Sequence, residues 1–336
     1  MTIADRIREA ERRIRAHVRE TPLLFSPSLT ALAGARISLK LENLQHTGSF
    51  KVRGALNKML ALSPDDRARG IVTASTGNHG AATAYAGRLA GVTPTVFVPH
   101  GASPSKVERI KRLGGLVEFY GDDSGETEVH ARQVAGSSGR VFLSPYNDWD
   151  VMAGQGTIAI ELARQAPALA AVVVAVGGGG LIGGIASYLK ATRPDVEIIG
   201  CSPRNSAVMA ASVRAGRILE LPSEPTLSDG TAGGVEAGAI TFEACRDLVA
   251  SYDLVDEREI AAAMRLAFEE ERLLIEGAAG VAVASGLRSG RRWQGRDVAV
   301  VLCGGNIGLD VWCRVVGGAE PWRAPRSEAE EAPPDR

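Results

Sequence analysis

The sequence predicts an α/β protein built on parallel sheets, and three features of its pattern support this class. Between residues 70 and 146, short apolar runs alternate with helical stretches of about 10 to 15 residues, which is typical of strands joined by helical crossovers. A second alternating series begins after residue 147. Its run at 171–176 is continuously apolar, as expected for a central parallel strand covered on both faces.

The elements of the first series follow one another in order. Glycines at 70, 91 and 114–115 mark the breaks between them. The predicted strands are 71–74, 95–98 and 116–120, and the predicted helices are 78–90, 104–113 and 124–135.

The remaining elements lie on both sides of that series. Apolar residues at three- and four-residue steps from Ile3 to Val18 predict an amphipathic helix, ended by Thr21-Pro22. The other predicted strands are 37–41, 171–176, 196–200 and 298–302, and the other predicted helices are 153–166 and 257–274. We expect a large domain of residues 1–69 and 147–318, a small α/β domain of residues 70–146, and a disordered tail at 319–336 because Pro, Glu and Arg dominate there.

Composition excludes several classes of protein. The 336 residues carry 38 Lys and Arg against 39 Asp and Glu, which argues against a protein that coats nucleic acid or an anionic membrane. The four cysteines lack CxxC spacing, so structural zinc and a disulfide framework are not expected and a reducing compartment fits. The N-terminus lacks the apolar core of a signal peptide, and no apolar run reaches the length of a membrane span. We therefore expect a cytoplasmic protein.

Glycine is unusually frequent, and its clusters suggest an anion site. The 39 glycines are about 12% of the chain, against roughly 7% in average proteins. After the apolar run come Gly177, Gly178, Gly179 and Gly180, then Leu181 at the predicted start of a helix, where backbone amides can bind a phosphate. The match to the dinucleotide pattern is weak because Glu197 falls at the start of its strand, and no P-loop is present. A tight turn without a ligand is the alternative.

Lys51 is a candidate reactive amine. It lies between Phe50 and Val52, just after Gly48-Ser49, where apolar neighbours can desolvate it. Desolvation lowers the pKa of an amine and suits it to attack a carbonyl. Taken alone, an exposed structural lysine is the simpler interpretation.

Five segments in this order resemble the fold-type II pyridoxal-phosphate enzymes, and within them the threonine/serine dehydratase and serine racemase branch. The segments are Glu20-Thr21-Pro22-Leu23, Gly48-Ser49-Phe50-Lys51-Val52-Arg53-Gly54-Ala55, Ser75-Thr76-Gly77-Asn78-His79-Gly80, the tetraglycine, and Cys303-Gly304-Gly305-Asn306. The resemblance covers roughly residues 4 to 315. It implies the fold of the tryptophan synthase β chain, in which two open-sheet α/β domains hold the cofactor between them.

The resemblance also implies a site. Lys51 would bind pyridoxal 5′-phosphate covalently and then remove the substrate α-proton. The other implied cofactor contacts are Phe50 against the ring, Asn78 at the 3′-oxygen, the amides of Gly177, Gly178, Gly179, Gly180 and Leu181 at the phosphate, and Cys303 facing the pyridine nitrogen. The structural alternative for Asn78 is an N-cap of the helix that starts there, and the alternative for Cys303 is a buried apolar cysteine. Gly304 and Gly305 are expected to leave room for the edge of the pyridine ring.

The substrate carboxylate is expected at the loop formed by Ser75, Thr76, Gly77, Asn78 and His79, mainly through main-chain amides and hydroxyls rather than through an acid-base role of His79. A neutral Cys303 thiol cannot protonate the ring as a carboxylate would, which favours elimination of a β-hydroxyl. Racemases of this branch have Ser where Thr76 stands, so racemization is less expected. The segment 201–208 lacks the carboxylates of the branch's cation site, so no metal is expected there.

These inferences predict an ammonia-lyase that converts L-threonine or L-serine into a 2-oxo acid and ammonia, without a regulatory domain. The alternatives are a dehydratase for a larger 3-hydroxy amino acid, either hydroxyectoine-derived or aryl-serine, suggested by Thr76 and the segment 228–234, and serine racemase-like activity. A non-catalytic binding module would have lost Lys51 or the glycines. The expected partners are an amino-acid substrate and a second copy of the chain in a homodimer, with neither nucleic acid nor membrane.

Overall fold

The computed structural model of the chain describes residues 1–318 and contains two sheets with helices packed against them. This architecture confirms the predicted α/β class. The strands are β1 (Leu23–Phe25), β2 (Arg36–Lys40), β3 (Ile71–Ala74), β4 (Thr95–Val98), β5 (Leu116–Phe119), β6 (Val141–Phe142), β7 (Leu169–Ala175), β8 (Glu197–Pro203), β9 (Ser251–Val255) and β10 (Asp297–Val301). The helices are α1 (Ile3–Ile14), α2 (Pro27–Ala33), α3 (Lys51–Ala61), α4 (Pro64–Arg69), α5 (Asn78–Ala90), α6 (Pro104–Leu113), α7 (Ser124–Ser138), α8 (Trp149–Gln165), α9 (Gly180–Thr192), α10 (Val208–Ala215), α11 (Thr241–Leu248), α12 (Glu257–Glu271), α13 (Gly277–Ser289) and α14 (Leu309–Val316).

The larger sheet has six strands in the order β1-β2-β10-β7-β8-β9, and the smaller has four in the order β5-β4-β3-β6. Among the strands of residues 1–318, β1 alone pairs antiparallel, with β2, and the other pairings are parallel. Strand β7 is buried along its whole length, as the continuous apolar run predicted. Because parallel strands share one carboxyl edge, the segments after β7 and β10 lie side by side there.

Several predicted boundaries differ from the structure for identifiable reasons. Helix α12 ends at Glu271, before the predicted Leu274, because Arg272 adopts a left-handed conformation with φ of 58°. Helix α8 begins at Trp149, earlier than predicted, because the side chain of Asp148 accepts hydrogen bonds from the amides of Asp150 and Val151. Helix α1 ends at Ile14 rather than near Val18, where the amide of His17 donates to Ile14 three residues back and tightens the last turn.

The four strands of the smaller sheet lie between Ile71 and Phe142, within the range predicted for the small domain. The domain boundaries themselves stay a prediction. The proposed disordered tail, 319–336, lies outside the described residues. Among the helices of residues 1–318, none combines the length and the apolar character that crossing a membrane requires.

A buried ion network fixes α3 to the larger sheet. Arg53 donates to both carboxylate oxygens of Glu42 at 2.8 Å and to Glu161 at 2.8 Å. Lys40 on β2 donates to the other oxygen of Glu161 at 2.5 Å. All four side chains are completely buried. Burial alone would raise the pKa of Glu161, but Arg53 and Lys40 outweigh it and lower that pKa to about 2, so the Glu161 carboxylate is ionised near neutral pH.

Candidate active site

Lys51 is the first residue of α3, and its side chain is partly buried. Its Nζ donates to the carbonyl oxygen of Pro145 at 3.0 Å and lies 5.3 Å from the centre of the Phe50 ring. Burial lowers the pKa of Lys51 to about 8, although Cys303 and Glu276 oppose the shift. An amine with this pKa is partly unprotonated near neutral pH, as a nucleophile or a base requires.

The lysine segment is held against the chain that follows β10. The amide of Phe50 donates to the carbonyl of Cys303 at 3.0 Å, and the amide of Gly305 donates to Gly48 at 2.9 Å. These bonds place Lys51 beside the Cys303 segment, as the resemblance implied.

The tetraglycine follows β7, and its last residue, Gly180, begins α9. Gly179 has φ of 84°, in the left-handed region that favours glycine. A Cβ at Gly178 would lie 2.4 Å from the ring of Tyr146, the neighbour of the Pro145 that accepts from Lys51. The glycines are therefore required by packing, while the first-turn amides of α9, including that of the buried Leu181, have no acceptor within the helix.

The loop from Ser75 to Gly77 joins β3 to α5, whose first two residues are Asn78 and His79. The Ser75 hydroxyl accepts from the amide of Gly77 at 3.2 Å, and Thr76 is partly exposed. A Cβ added at Gly77 would meet only the Ser75 hydroxyl, at 4.0 Å, so the space before this backbone is open. The alternative role of Asn78 as an N-cap is wrong: Gly77 caps α5, and Asn78 is its first helical residue.

His79 does not offer its ring to the cleft. The side chain is buried, and its Nε2 lies 2.9 Å from the carbonyl oxygen of Leu143, to which a neutral imidazole donates. Burial, with Lys51 nearby, lowers the pKa of His79 to about 3. The ring is therefore neutral and anchored, which agrees with a main-chain role rather than an acid-base role.

Glu276 is a site residue that the sequence analysis missed. Only 3% of the residue is exposed, and its two carboxylate oxygens each accept from Nδ2 of Asn78 at 2.9 Å. The amide of Asn306 donates to it at 3.0 Å. Burial raises the pKa of Glu276 to about 7. One signal was available: this acid stands directly before a run of small and apolar residues, 277–283, which a helix can only bury.

Cys303 and its glycines surround that carboxylate. The Cys303 thiol is buried, 4.0 Å from Oε1 of Glu276, and burial raises the pKa of Cys303 well above its ordinary value, so the thiol is neutral as expected. A Cβ at Gly304 would lie 2.5 Å from Oε1 of Glu276, and one at Gly305 would lie 2.8 Å from the carbonyl oxygen of Leu274, so packing against protein atoms already requires glycine at both positions. That these glycines also leave room for a ring edge stays a prediction.

Glu276→Gln is expected to flatten the pH dependence of stability in the cofactor-free protein. The native protein retains a proton that the unfolded chain has released, because the pKa is 4.5 in the reference state and about 7 when buried. Stability from this group is therefore complete below about pH 4.5 and falls by about 3 kcal/mol as the pH rises through 7. Urea unfolding at pH 5 and pH 8 measures the difference, with the exposed Glu243→Gln as control. An unchanged slope in Glu276→Gln would contradict the assignment.

Comparisons with known proteins agree with this arrangement. Residues 14–304 match the family described as pyridoxal-phosphate dependent enzyme. A putative threonine dehydratase of Sinorhizobium fredii is 41% identical over 93% of this chain and 94% of that protein, and the L-threonine ammonia-lyase of Thermotoga maritima is 40% identical over 94% and 78%. The structure of maize serine racemase has a TM-score of 0.88, with 33% identity over 94% of this chain and 97% of that one. By its matched family, its relatives and its two-sheet fold, the chain belongs to the fold-type II pyridoxal-phosphate dependent enzymes.

Proposed function

We propose that this protein is an ammonia-lyase that dehydrates and deaminates L-threonine or L-serine, yielding a 2-oxo acid and ammonia. The observation that carries the proposal is the partly buried amine of Lys51, with a pKa of about 8, where the lysine segment meets the cysteine segment and the residue before Tyr146, against which the tetraglycine packs. The names of the relatives from Sinorhizobium fredii and Thermotoga maritima support this chemistry.

The residues at this point suit pyridoxal phosphate. The free first-turn amides of α9 and the tetraglycine before it are suited to a phosphate, and Lys51 to its aldehyde. The hydroxyl of Ser49, two residues before the lysine, is buried and has no hydrogen-bond partner within residues 1–318. We assign Phe50 to the ring face, Asn78 to the 3′-oxygen and Cys303 to the pyridine nitrogen.

Each group of the protein at this site has a separate role in the proposed reaction. Pyridoxal phosphate, when bound, supplies the electron sink that acidifies the α-proton of an amino acid. The Lys51 amine takes that proton, for which its lowered pKa prepares it. The open backbone at Gly77 and the N-terminus of α5 bind the substrate carboxylate. The neutral Cys303 thiol adds no charge at the far end of the site.

An assay of ammonia and 2-oxo acid release tests this proposal. The substrates are L-threonine, L-serine, D-serine and an aryl-serine, compared by kcat/KM. We expect L-threonine or L-serine to lead, with 2-oxo acid and ammonia in equal amounts. If a larger 3-hydroxy amino acid gave the highest kcat/KM, it would replace L-threonine and L-serine as the assigned substrate. D-serine formed from L-serine faster than ammonia would replace lyase activity by racemization, the activity named for the maize relative.

We further propose a cytoplasmic homodimer. All four cysteines are free, which suits a reducing compartment. The Ser26 hydroxyl, just after β1, donates to Glu271 at the end of α12, and the exposed apolar side chains of Phe25, Phe268 and Leu274 lie within three residues of this contact along the chain. Sedimentation equilibrium of the holoenzyme is expected to give twice the mass of the chain, and a monomer mass would refute the dimer.

A further inference from the structure

Arg109 links the smaller sheet to the candidate site. It lies on α6, and its guanidinium crosses to the segment that follows β10. Nη1 donates to Oδ1 of Asn306 at 2.6 Å, and Nη2 donates to the carbonyl oxygen of Thr47 at 2.7 Å. Neither acceptor belongs to the smaller sheet, so one side chain bridges the two halves of the site.

The acceptors of Arg109 are themselves part of the site. Thr47 has φ of 63°, a conformation that β-branched residues rarely adopt, and it lies four residues before Lys51. Asn306 donates through Nδ2 to the Thr47 carbonyl at 2.8 Å and to Oδ1 of Asn78 at 2.5 Å. Arg109 and Asn306 therefore hold the same carbonyl, and Asn306 continues to Asn78.

This chain of bonds decides which way two amide groups face. A guanidinium only donates, so it requires the oxygen of Asn306 to face it and turns the amide nitrogen of Asn306 towards Asn78. The oxygen of Asn78 then accepts that bond, and its Nδ2 is left facing Glu276. The Thr47 carbonyl, which only accepts, and the Glu276 carboxyl favour the same orientation, and Arg109 adds the donor-only partner that opposes a half-turn of the Asn306 amide.

We propose that Arg109 is a positioning residue that fixes the amide of Asn78 through Asn306, so that Asn78 presents a donor to the 3′-oxygen of the cofactor. This inference rests on the proposed cofactor site. Arg109 forms no hydrogen bond with Asn78 and reaches it through Asn306, while its second bond holds the Thr47 carbonyl. Removing it leaves the donors and acceptors of Asn78 in place but weakens the hold on their orientation.

A double-mutant cycle on cofactor affinity tests the proposal. The full-length protein is freed of cofactor and titrated with pyridoxal 5′-phosphate, which is followed by visible absorbance in wild type, Arg109→Met, Asn306→Ala and the double variant. Arg109→Met is expected to weaken binding about tenfold, the worth of one hydrogen bond to a charged group. In the Asn306→Ala background the same change is expected to alter binding less than about twofold, because coupled residues are not additive.

Two further variants keep the test sharp. Arg112→Met, an exposed arginine on the same helix, is expected to bind as wild type does. Arg109→Lys keeps a donor-only group but not the two-pronged geometry, so it is expected to bind more tightly than Arg109→Met and less tightly than wild type. Additive effects in the cycle, wild-type binding by Arg109→Met, or a lysine variant as weak as the methionine variant would each overturn the positioning role. Failure of wild type itself to bind pyridoxal 5′-phosphate would instead overturn the proposed function.

Discussion

Lys51→Ala is expected to lower the rate of ammonia release by about 10⁴-fold or more, because one amine serves both as the cofactor's attachment point and as the base. No other described lysine combines a position at the cleft with a pKa lowered to about 8. The variant is expected to fold, since the side chain makes one hydrogen bond, to Pro145. Steady-state assay of ammonia release measures the loss, and circular dichroism checks the fold.

Two companion variants separate chemistry from charge. Lys51→Arg keeps a cation at the position but stays protonated, so it is expected to be as inactive as the alanine variant. Lys111→Ala removes an exposed lysine on α6 and is expected to leave the rate unchanged. More than about a hundredth of wild-type activity in Lys51→Ala would contradict the role of the amine.

Arg53→Met is expected to destabilise the protein by about 3 to 5 kcal/mol, because it leaves the buried carboxylates of Glu42 and Glu161 without their main partner. Arg53 lies two residues after Lys51 on the same helix, so activity should fall with the folded fraction. Urea unfolding followed by circular dichroism measures the change in unfolding free energy.

The matched control is Arg164→Met, which breaks a surface pair with Glu20 at 2.8 Å. Exposed pairs contribute about 1 kcal/mol or less to stability, so the stability of this variant should stay close to that of wild type.

The network also determines how the stability of the protein depends on pH. The pKa of Glu161 is lowered to about 2 from 4.5, so its contribution is complete above about pH 4.5 and is lost as the pH falls through 2. Equal stability of Arg53→Met and Arg164→Met would refute the account of the network.

The hydrophobic pattern of the sequence predicted the strands and helices of the smaller sheet well, because glycines mark the breaks between its strand–helix units. The predicted 71–74, 78–90, 95–98 and 104–113 coincide with β3, α5, β4 and α6. Prediction failed where one residue's conformation or cap decides a boundary. The left-handed Arg272 ends α12, and the Asp148 side chain starts α8, and neither is visible in hydrophobic periodicity.

In the candidate site, too, the residues in sequence motifs were predicted and the residues defined by long-range contacts were not. Motifs placed Lys51, Asn78, the tetraglycine and Cys303 in one site, and the structure brings these segments together. Glu276 and Arg109 were missed because their roles depend on contacts between residues that are far apart in the sequence. Glu276 and Asn78 are separated by 198 residues, and Arg109 and Asn306 by 197. The glycines after Cys303 were assigned to the cofactor, and the space a side chain would fill at Gly304 is occupied by Glu276.

The most direct test of the central claim is to locate the cofactor on the chain. The holoenzyme is reduced with borohydride, digested, and its peptides are mapped by mass spectrometry. We predict a pyridoxyl phosphate group on Lys51 and on no other lysine, with loss of ammonia release in the reduced protein. A label on a different lysine, or a folded and cofactor-saturated protein that carries no label, would contradict the account.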